Sequence, residues 1–246
     1  MAYAIQWIRS LIFTIQMYVM LLVIGLGGLP FALVNRKYVY KTVHAYCNWV
    51  MWTASWMVGL KTEFRGEVPD EEILIAGKHM GFLDILMIAS KAKRPKYIMK
   101  ASLKYVPIIG LYGKLTGSVP VNRGQRSKAI RSMMAAVSAG DAPAGQLVIF
   151  PQGTRVAPGE KKPYKVGVFV LYEETGQRVL PVACNVGVFW KRLGIYKKPG
   201  VAVVEFLPMI EPGLPRDEFL QTLGDTIEIA SDRLMKDAGF NPDHIS

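Results

Sequence analysis

Acidic side chains are missing from long stretches of this 246-residue chain. The first 60 residues hold none, against four basic ones, Arg9, Arg36, Lys37 and Lys41. From Ile85 to Gly140 eleven Lys or Arg again stand without an acid. A solvated basic face explains this absence of acids poorly, and such blocks attract an anionic counterpart: nucleic acid, acidic lipid headgroups or a phosphorylated substrate. Aromatics are sparse between residues 91 and 131 and no nucleic-acid motif is present, which argues against the first of these. Cysteine is scarce: Cys47 and Cys184 lie far apart in apolar contexts, so the chain is not a disulfide scaffold. No internal repeat and no low-complexity tail is present, which excludes a repeat array.

Apolar sequence is plentiful, at 51% of residues with a mean hydropathy of +0.22. Residues 11–34 carry no charge. As a helix they extend roughly 36 Å, enough to cross a hydrocarbon layer of about 30 Å. The run lacks an Ala-x-Ala cleavage site, so it does not read as a signal peptide. Gly25, Gly27, Gly28 and Pro30 weaken its far end, which leaves a dipping helix as an alternative to a crossing one. Arg36 and Lys37 follow directly, and a basic flank belongs on the cytoplasmic side. Residues 38–60 form a second helix with Trp49, Trp52 and Trp56 on one face, the indoles suited to the headgroup level. The expected organisation is a two-helix membrane anchor over residues 1–60, then a domain over 61–246.

In that second part, residues 73–76, 97–99, 118–121, 147–150, 179–184 and 201–206 are short apolar runs of buried-strand length. Residues 126–139 have helical spacing, and Phe219, Leu223, Ile227, Ala230 and Leu234 mark an amphipathic helix. Strands alternating with helices predict an α/β fold with a mostly parallel central sheet flanked by helices. Ligands on such sheets sit at the carboxyl ends of the strands.

Chemistry concentrates there. "KHMGFLDI" (78–85) follows the first strand and sets His79 five residues before Asp84. On one continuous helix the two side chains diverge by roughly 140°. They meet only if His79 stays in the loop and Asp84 enters the first helical turn, and then Asp84 orients the imidazole and frees its other nitrogen as a base. The same spacing also fits a helix-capping Asp beside an ordinary loop histidine. "FPQGTR" (150–155) closes another strand with Gly153, Thr154 and Arg155 in a turn, followed by Lys161, Lys162 and Lys165. A glycine's exposed amides, a hydroxyl and a guanidinium suit a phosphate. "GSVPVNR" ends at Arg123 after a strand, and "KASLKYVPIIG" begins at Lys100.

In this order the segments resemble the membrane-bound glycerolipid acyltransferases, in particular those acting on 1-acylglycerol 3-phosphate. His79 and Asp84 match that family's H-x-x-x-x-D, Gly117 to Arg123 its second motif, residues 150–155 its F-P-E-G-T-R, and residues 179–182 a fourth apolar motif around proline. The resemblance covers about residues 60–210. It implies transfer of an acyl group from acyl-CoA or acyl carrier protein to the sn-2 hydroxyl of lysophosphatidic acid, giving phosphatidic acid. His79 and Asp84 are then catalytic, and Lys100, Arg123, Gln152, Gly153, Thr154 and Arg155 bind substrate. No metal and no cofactor beyond the thioester co-substrate is implied. The partners are membrane lipids and the two substrates rather than nucleic acid, with the catalytic domain on the cytoplasmic face of the inner membrane. Gln152 departs from the family's usual Glu. An amide hydrogen-bonds but carries no charge, and if hydrogen bonding is its whole task, Gln152→Glu is expected to be nearly silent.

Overall fold

The computed structural model describes residues 2–121, 135 and 145–241. The helix expected over 126–139 and Arg123 lie outside the described residues, apart from Ala135, which is helical. Two long antiparallel-packed helices come first, α1 (Ala2–Val34) and α2 (Lys37–Met57). The strands are β1 (Leu60–Arg65), β2 (Leu74–Gly77), β3 (Lys96–Lys100), β4 (Val119–Val121), β5 (Leu147–Ile149), β6 (Val179–Cys184) and β7 (Gly200–Phe206). Helices α3 (Leu83–Lys91), α4 (Ile109–Thr116), α5 (Gly167–Thr175), α6 (Val186–Phe189) and α7 (Arg216–Asp237) connect or follow them.

The seven strands form one sheet in the order β1-β7-β6-β2-β5-β3-β4. All pairs are parallel except β6 with β7. The α/β architecture with a mostly parallel sheet is the one expected. β1 was not anticipated: its sequence mixes two apolar with four polar or charged residues, and its parallel partner β7 lies far along the chain.

Side chains alternate across the buried central strands, as the pleat requires. Ile73, Ile75, Val148, Leu180 and Val182 enter one core cluster, together with Phe13 and Met17 of α1 and Cys47, Val50 and Ala54 of α2. Leu74, Ala76, Leu147, Ile149 and Val179 enter a second cluster on the other face, against α5 and α7. Phe13 is fully buried and Met17 nearly so. At about 1.5–3 kcal/mol for each such side chain, α1 is held to this core and is not a loose tether.

Pro30 lies inside α1, and the glycines before it do not end the helix. They serve close approach. A Cβ on Gly28 would stand 2.2 Å from Thr42 Oγ1, and one on Gly25 2.5 Å from Ile108 Cγ2. Ile108 itself has φ of 63°, a strained value for a β-branched residue, where it packs under α1.

Candidate active site

Gly77 ends β2, and residues 78–82 turn over the carboxyl edge of the sheet before α3 begins at Leu83. Asp84 therefore sits in the first turn of α3 and His79 in the loop, which is the arrangement that lets them meet. His79 Nδ1 lies 3.0 Å from Asp84 Oδ1. Asp84 Oδ2 accepts from the amides of Met80 and Gly81, both at 2.7 Å. Asp84 is fully buried, and its charge near the start of α3 also suits the helix dipole. Asp84 is not the N-cap, a position occupied by Phe82, so its hydrogen bonds hold the turn and the imidazole together. The His79 ring stacks on Phe150 at 4.1 Å between centroids. Nε2 has no hydrogen-bond partner among the described residues.

Phe150 introduces the second segment. Gly153, with φ of 68°, closes a turn in which its amide donates to the Phe150 carbonyl at 2.9 Å. The Val156 amide donates to the His79 carbonyl at 2.8 Å, which fixes the neighbouring Arg155 relative to the base. Thr154 and Arg155 are half-buried. A Cβ on Gly153 would meet Lys165 Nζ at 2.6 Å, so this ammonium lies directly against the turn. Lys100 ends β3 on the same carboxyl edge and is exposed, with no side-chain hydrogen bond or ion pair to His79, Asp84 or the 150–155 turn among the described residues.

Gln152 is buried at the heart of a network that sequence reasoning missed. Its Nε2 donates to Glu228 Oε1 at 3.1 Å, and the Tyr164 hydroxyl donates to the same oxygen at 3.0 Å. The other oxygen of Glu228 takes the ammonium of Lys78, a residue 1% exposed and adjacent to His79. Burial, then the Glu228 charge, pushes the Tyr164 hydroxyl well above its ordinary range. Glu228 comes from α7, 150 positions beyond Lys78. Gln152 Oε1 is buried without a donor among the described residues. A buried ammonium one residue from His79 was a readable signal, but its partner was not.

Arg155 also lines a cleft of about 140 Å³ with Thr14, Met17 and Tyr18 of α1, Phe82 and residues of the segment 190–197. A larger one of about 380 Å³, at the β1–β7 edge, contains neither His79 nor Arg155 in its lining.

Comparison with known proteins gives consistent matches. A family model described as acyltransferase covers residues 60–185. A 1-acyl-sn-glycerol-3-phosphate acyltransferase of Pseudomonas aeruginosa is 26% identical over 68% of this chain and 65% of its own length. A chloroplastic protein of the same description from Brassica napus is 30% identical over 67% of this chain and 48% of its own. The chain thus spans about half to two-thirds of the length of these relatives. The crystal structure of a 1-acyl-sn-glycerophosphate acyltransferase from Thermotoga maritima superposes with a TM-score of 0.79, covering 95% of this chain and 99% of that one at 17% identity, and so shares the fold.

Proposed function

The chain belongs to the acyltransferase family, and we propose that it transfers a fatty acyl group from a thioester, acyl-CoA or acyl carrier protein, to the sn-2 hydroxyl of lysophosphatidic acid. The observation that carries this reading is the 3.0 Å contact of His79 Nδ1 with a fully buried Asp84, which leaves Nε2 as the open face of the imidazole. Nε2 takes the hydroxyl proton as the acceptor oxygen attacks the thioester carbonyl. Asp84 stabilises the imidazolium that results. Collapse of the tetrahedral intermediate breaks the C–S bond, and the imidazolium returns its proton to the departing thiolate. The acceptor itself is the nucleophile, so no acyl-enzyme forms. Arg155, with the Gly153 and Thr154 turn and Lys165, is the natural partner for the acceptor's phosphate, and Lys100 on the same edge and Arg123 are proposed to assist. Gln152 supports this turn from beneath through Glu228.

A lipid acceptor requires the site at a bilayer surface. α1 is the one described helix long and apolar enough to cross a membrane. Yet Gln6 Nε2 donates to the carbonyls of Val58 and Lys197, and the Gly25 carbonyl accepts from Tyr112. These tethers stand about 28 Å apart along the helix. A helix held to the domain at two such distant points lies along it. Its outward side carries Ile5, Ile8, Ile12, Ile15, Val19, Leu22 and Leu26, alternately three and four residues apart and all about half or more exposed. Trp52 and Trp56 of α2 are exposed as well. We infer that α1 and α2 embed side-on in one leaflet on the cytoplasmic face, a reading supported by the basic flank Arg36-Lys37.

The test is thiol release from acyl-CoA and from acyl carrier protein with lysophosphatidic acid, glycerol 3-phosphate and a lyso-aminolipid as acceptors. Release dependent on lysophosphatidic acid, with phosphatidic acid as product, is expected. Turnover with another acceptor alone would reassign the substrate, and no turnover with any would sink the reading.

A further inference from the structure

We propose that the cleft between α1 and the segment 190–197 extends the phosphate site of the FPQGTR turn, with Lys191 and Arg192 joining Arg155 in its lining. The proposal rests on the acyl-transfer reading for the ligand's role, and on the following geometry for the site.

The cleft has a chemically mixed lining. Met17 and Tyr18 of α1 and Phe82 give its lining carbon surface, while Arg155, Lys191 and Arg192 give it three cations. None of the three makes an ion pair or a side-chain hydrogen bond among the described residues. Arg192 does lie close enough to Glu160 to help hold its carboxyl low, but only after Lys162, with which Glu160 is already paired at 3.0 Å. Three uncompensated cations around one cavity repel each other unless an anion joins them.

The wall is built rather than loose. The Lys197 ammonium donates to the carbonyls of Ile195 at 2.7 Å and Gly194 at 3.3 Å and sits 4.7 Å from the Trp190 ring centre. The Lys197 amide donates to Ser10 Oγ at 3.0 Å and its carbonyl accepts from Gln6 at 2.8 Å, which clamps the segment to α1. Tyr196 stacks on Tyr3 at 5.1 Å. Trp190 packs edge-on to Phe13 at 5.5 Å. The Trp190 carbonyl lies 3.0 Å from where a Cβ on Gly81 would stand, so the segment also abuts the turn that holds His79. Helix, cleft and base are therefore one unit, and an anion bound in the cleft is positioned relative to Nε2.

Phosphate on an amphiphile fits such a lining, with charge toward Lys191 and Arg192 and carbon toward α1. Two sources present it: the headgroup of the lysolipid acceptor and the phosphates of the thioester donor. Steady-state kinetics on the full chain in lipid–detergent micelles separate them. The variants are the pair Lys191→Glu with Arg192→Glu, and the milder pair Lys191→Gln with Arg192→Gln. The charge-reversed pair is expected to raise one KM at least tenfold, with a smaller change in kcat, and the neutral pair is expected to fall between it and wild type. A rise for lysophosphatidic acid but not for monoacylglycerol assigns the headgroup. A rise for acyl-CoA but not for an acyl thioester lacking phosphate assigns the donor. Unchanged KM for both, or equal losses with the phosphate-free substrates, would overturn the proposal. A second readout stands apart from turnover: inorganic phosphate is expected to raise the thermal midpoint of the wild-type chain and to lose that effect in the charge-reversed pair. If phosphate protects both equally, the subsite is wrong. If it protects only wild type while no acyl transfer occurs, the subsite stands and the acyl-transfer reading fails.

Discussion

Asp84 uses both carboxylate oxygens, and that divides its task in two. Oδ1 orients the imidazole, and Oδ2 gathers two backbone amides that shape the turn. Asp84→Asn keeps the shape, but its NH2 either faces those amides and loses them, or donates to Nδ1 and selects the tautomer protonated at Nε2, which cannot act as the base. The expected result is a fall in kcat on the order of 10²–10⁴ with little change in KM, read by the thiol-release assay. A mainly raised KM would make Asp84 a binding residue. The pair was legible in the sequence because it lies within six residues and needs only a loop-to-helix transition between its members. Gln152 was legible as a position but not in its surroundings. Its partner Glu228 stands 76 residues away on α7, where it reads as an ordinary acid beside the apolar stripe. That contact changes the expectation for Gln152→Glu. A carboxylate there would face Glu228 directly, with only Lys78, on the other oxygen of Glu228, to offset two charges, and one of the two acids is driven to hold its proton. The raised folded-state value makes the variant's added acid favourable only at low pH, and its stability falls as pH rises through that value. The variant is therefore expected to unfold more readily than wild type at pH 8, to approach it toward pH 5, and to lose activity at neutral pH. Equal thermal midpoints across this range would show that the network tolerates a second charge.

At the scale of elements, the glycines of α1 carry the most information. Read as sequence they weaken a helix, at about 0.8–1.0 kcal/mol each relative to Ala. Read in the fold, Gly28 permits contact with Thr42 and Gly25 with Ile108, whereas a Cβ on Gly27 meets nothing within 4 Å. Two substitutions on adjacent residues should thus have opposite signs. Gly27→Ala is expected to stabilise by up to about 1 kcal/mol, provided the added methyl stays on the outer face. Gly28→Ile is expected to part α1 from α2, accelerating amide exchange in both helices while the central strands stay protected. Similar exchange in both variants would mean that the glycines do not set the packing. The central strands themselves were readable, because burial on both faces makes each one a continuous apolar run. The β1–β7 pairing and the antiparallel turn of β7 were not. An edge strand with alternating charge has no local signature that names its distant partner, and sequence period does not encode strand direction.

For the whole molecule, the division at residue 60 conceals a shared core. Residues 1–60 supply Phe13, Met17, Tyr46, Cys47, Val50 and Ala54 to the cluster that also holds Ile75, Val148 and Leu180. Removing them strips one face of the sheet, so the shortened chain is expected to aggregate whether or not lipid is its proper surroundings. That deletion cannot separate packing from membrane contact, but substitutions on the outer stripe can. Ile12 and Leu22 are 52% and 49% exposed and lie away from the core residues Phe13 and Met17. Neither belongs to a packed cluster, and changing both to Glu is a surface substitution of the kind that shifts folding stability by only about 0.5 kcal/mol. In a leaflet, each forfeits most of the roughly 1.5–3 kcal/mol gained by burying such a side chain. Together the losses amount to on the order of a hundredfold or more in partitioning. The double variant is expected to fold with an unchanged thermal midpoint in detergent and to stop co-floating with vesicles. It is also expected to lose activity toward long-chain lysophosphatidic acid in vesicles while keeping it toward a short-chain, water-dispersed acceptor. That split places the defect in access to the lipid and not in the His79 site. If the variant floats with vesicles and uses vesicle-borne acceptor as well as wild type does, the stripe is not the surface that meets the bilayer, and α1 must engage the membrane through another face.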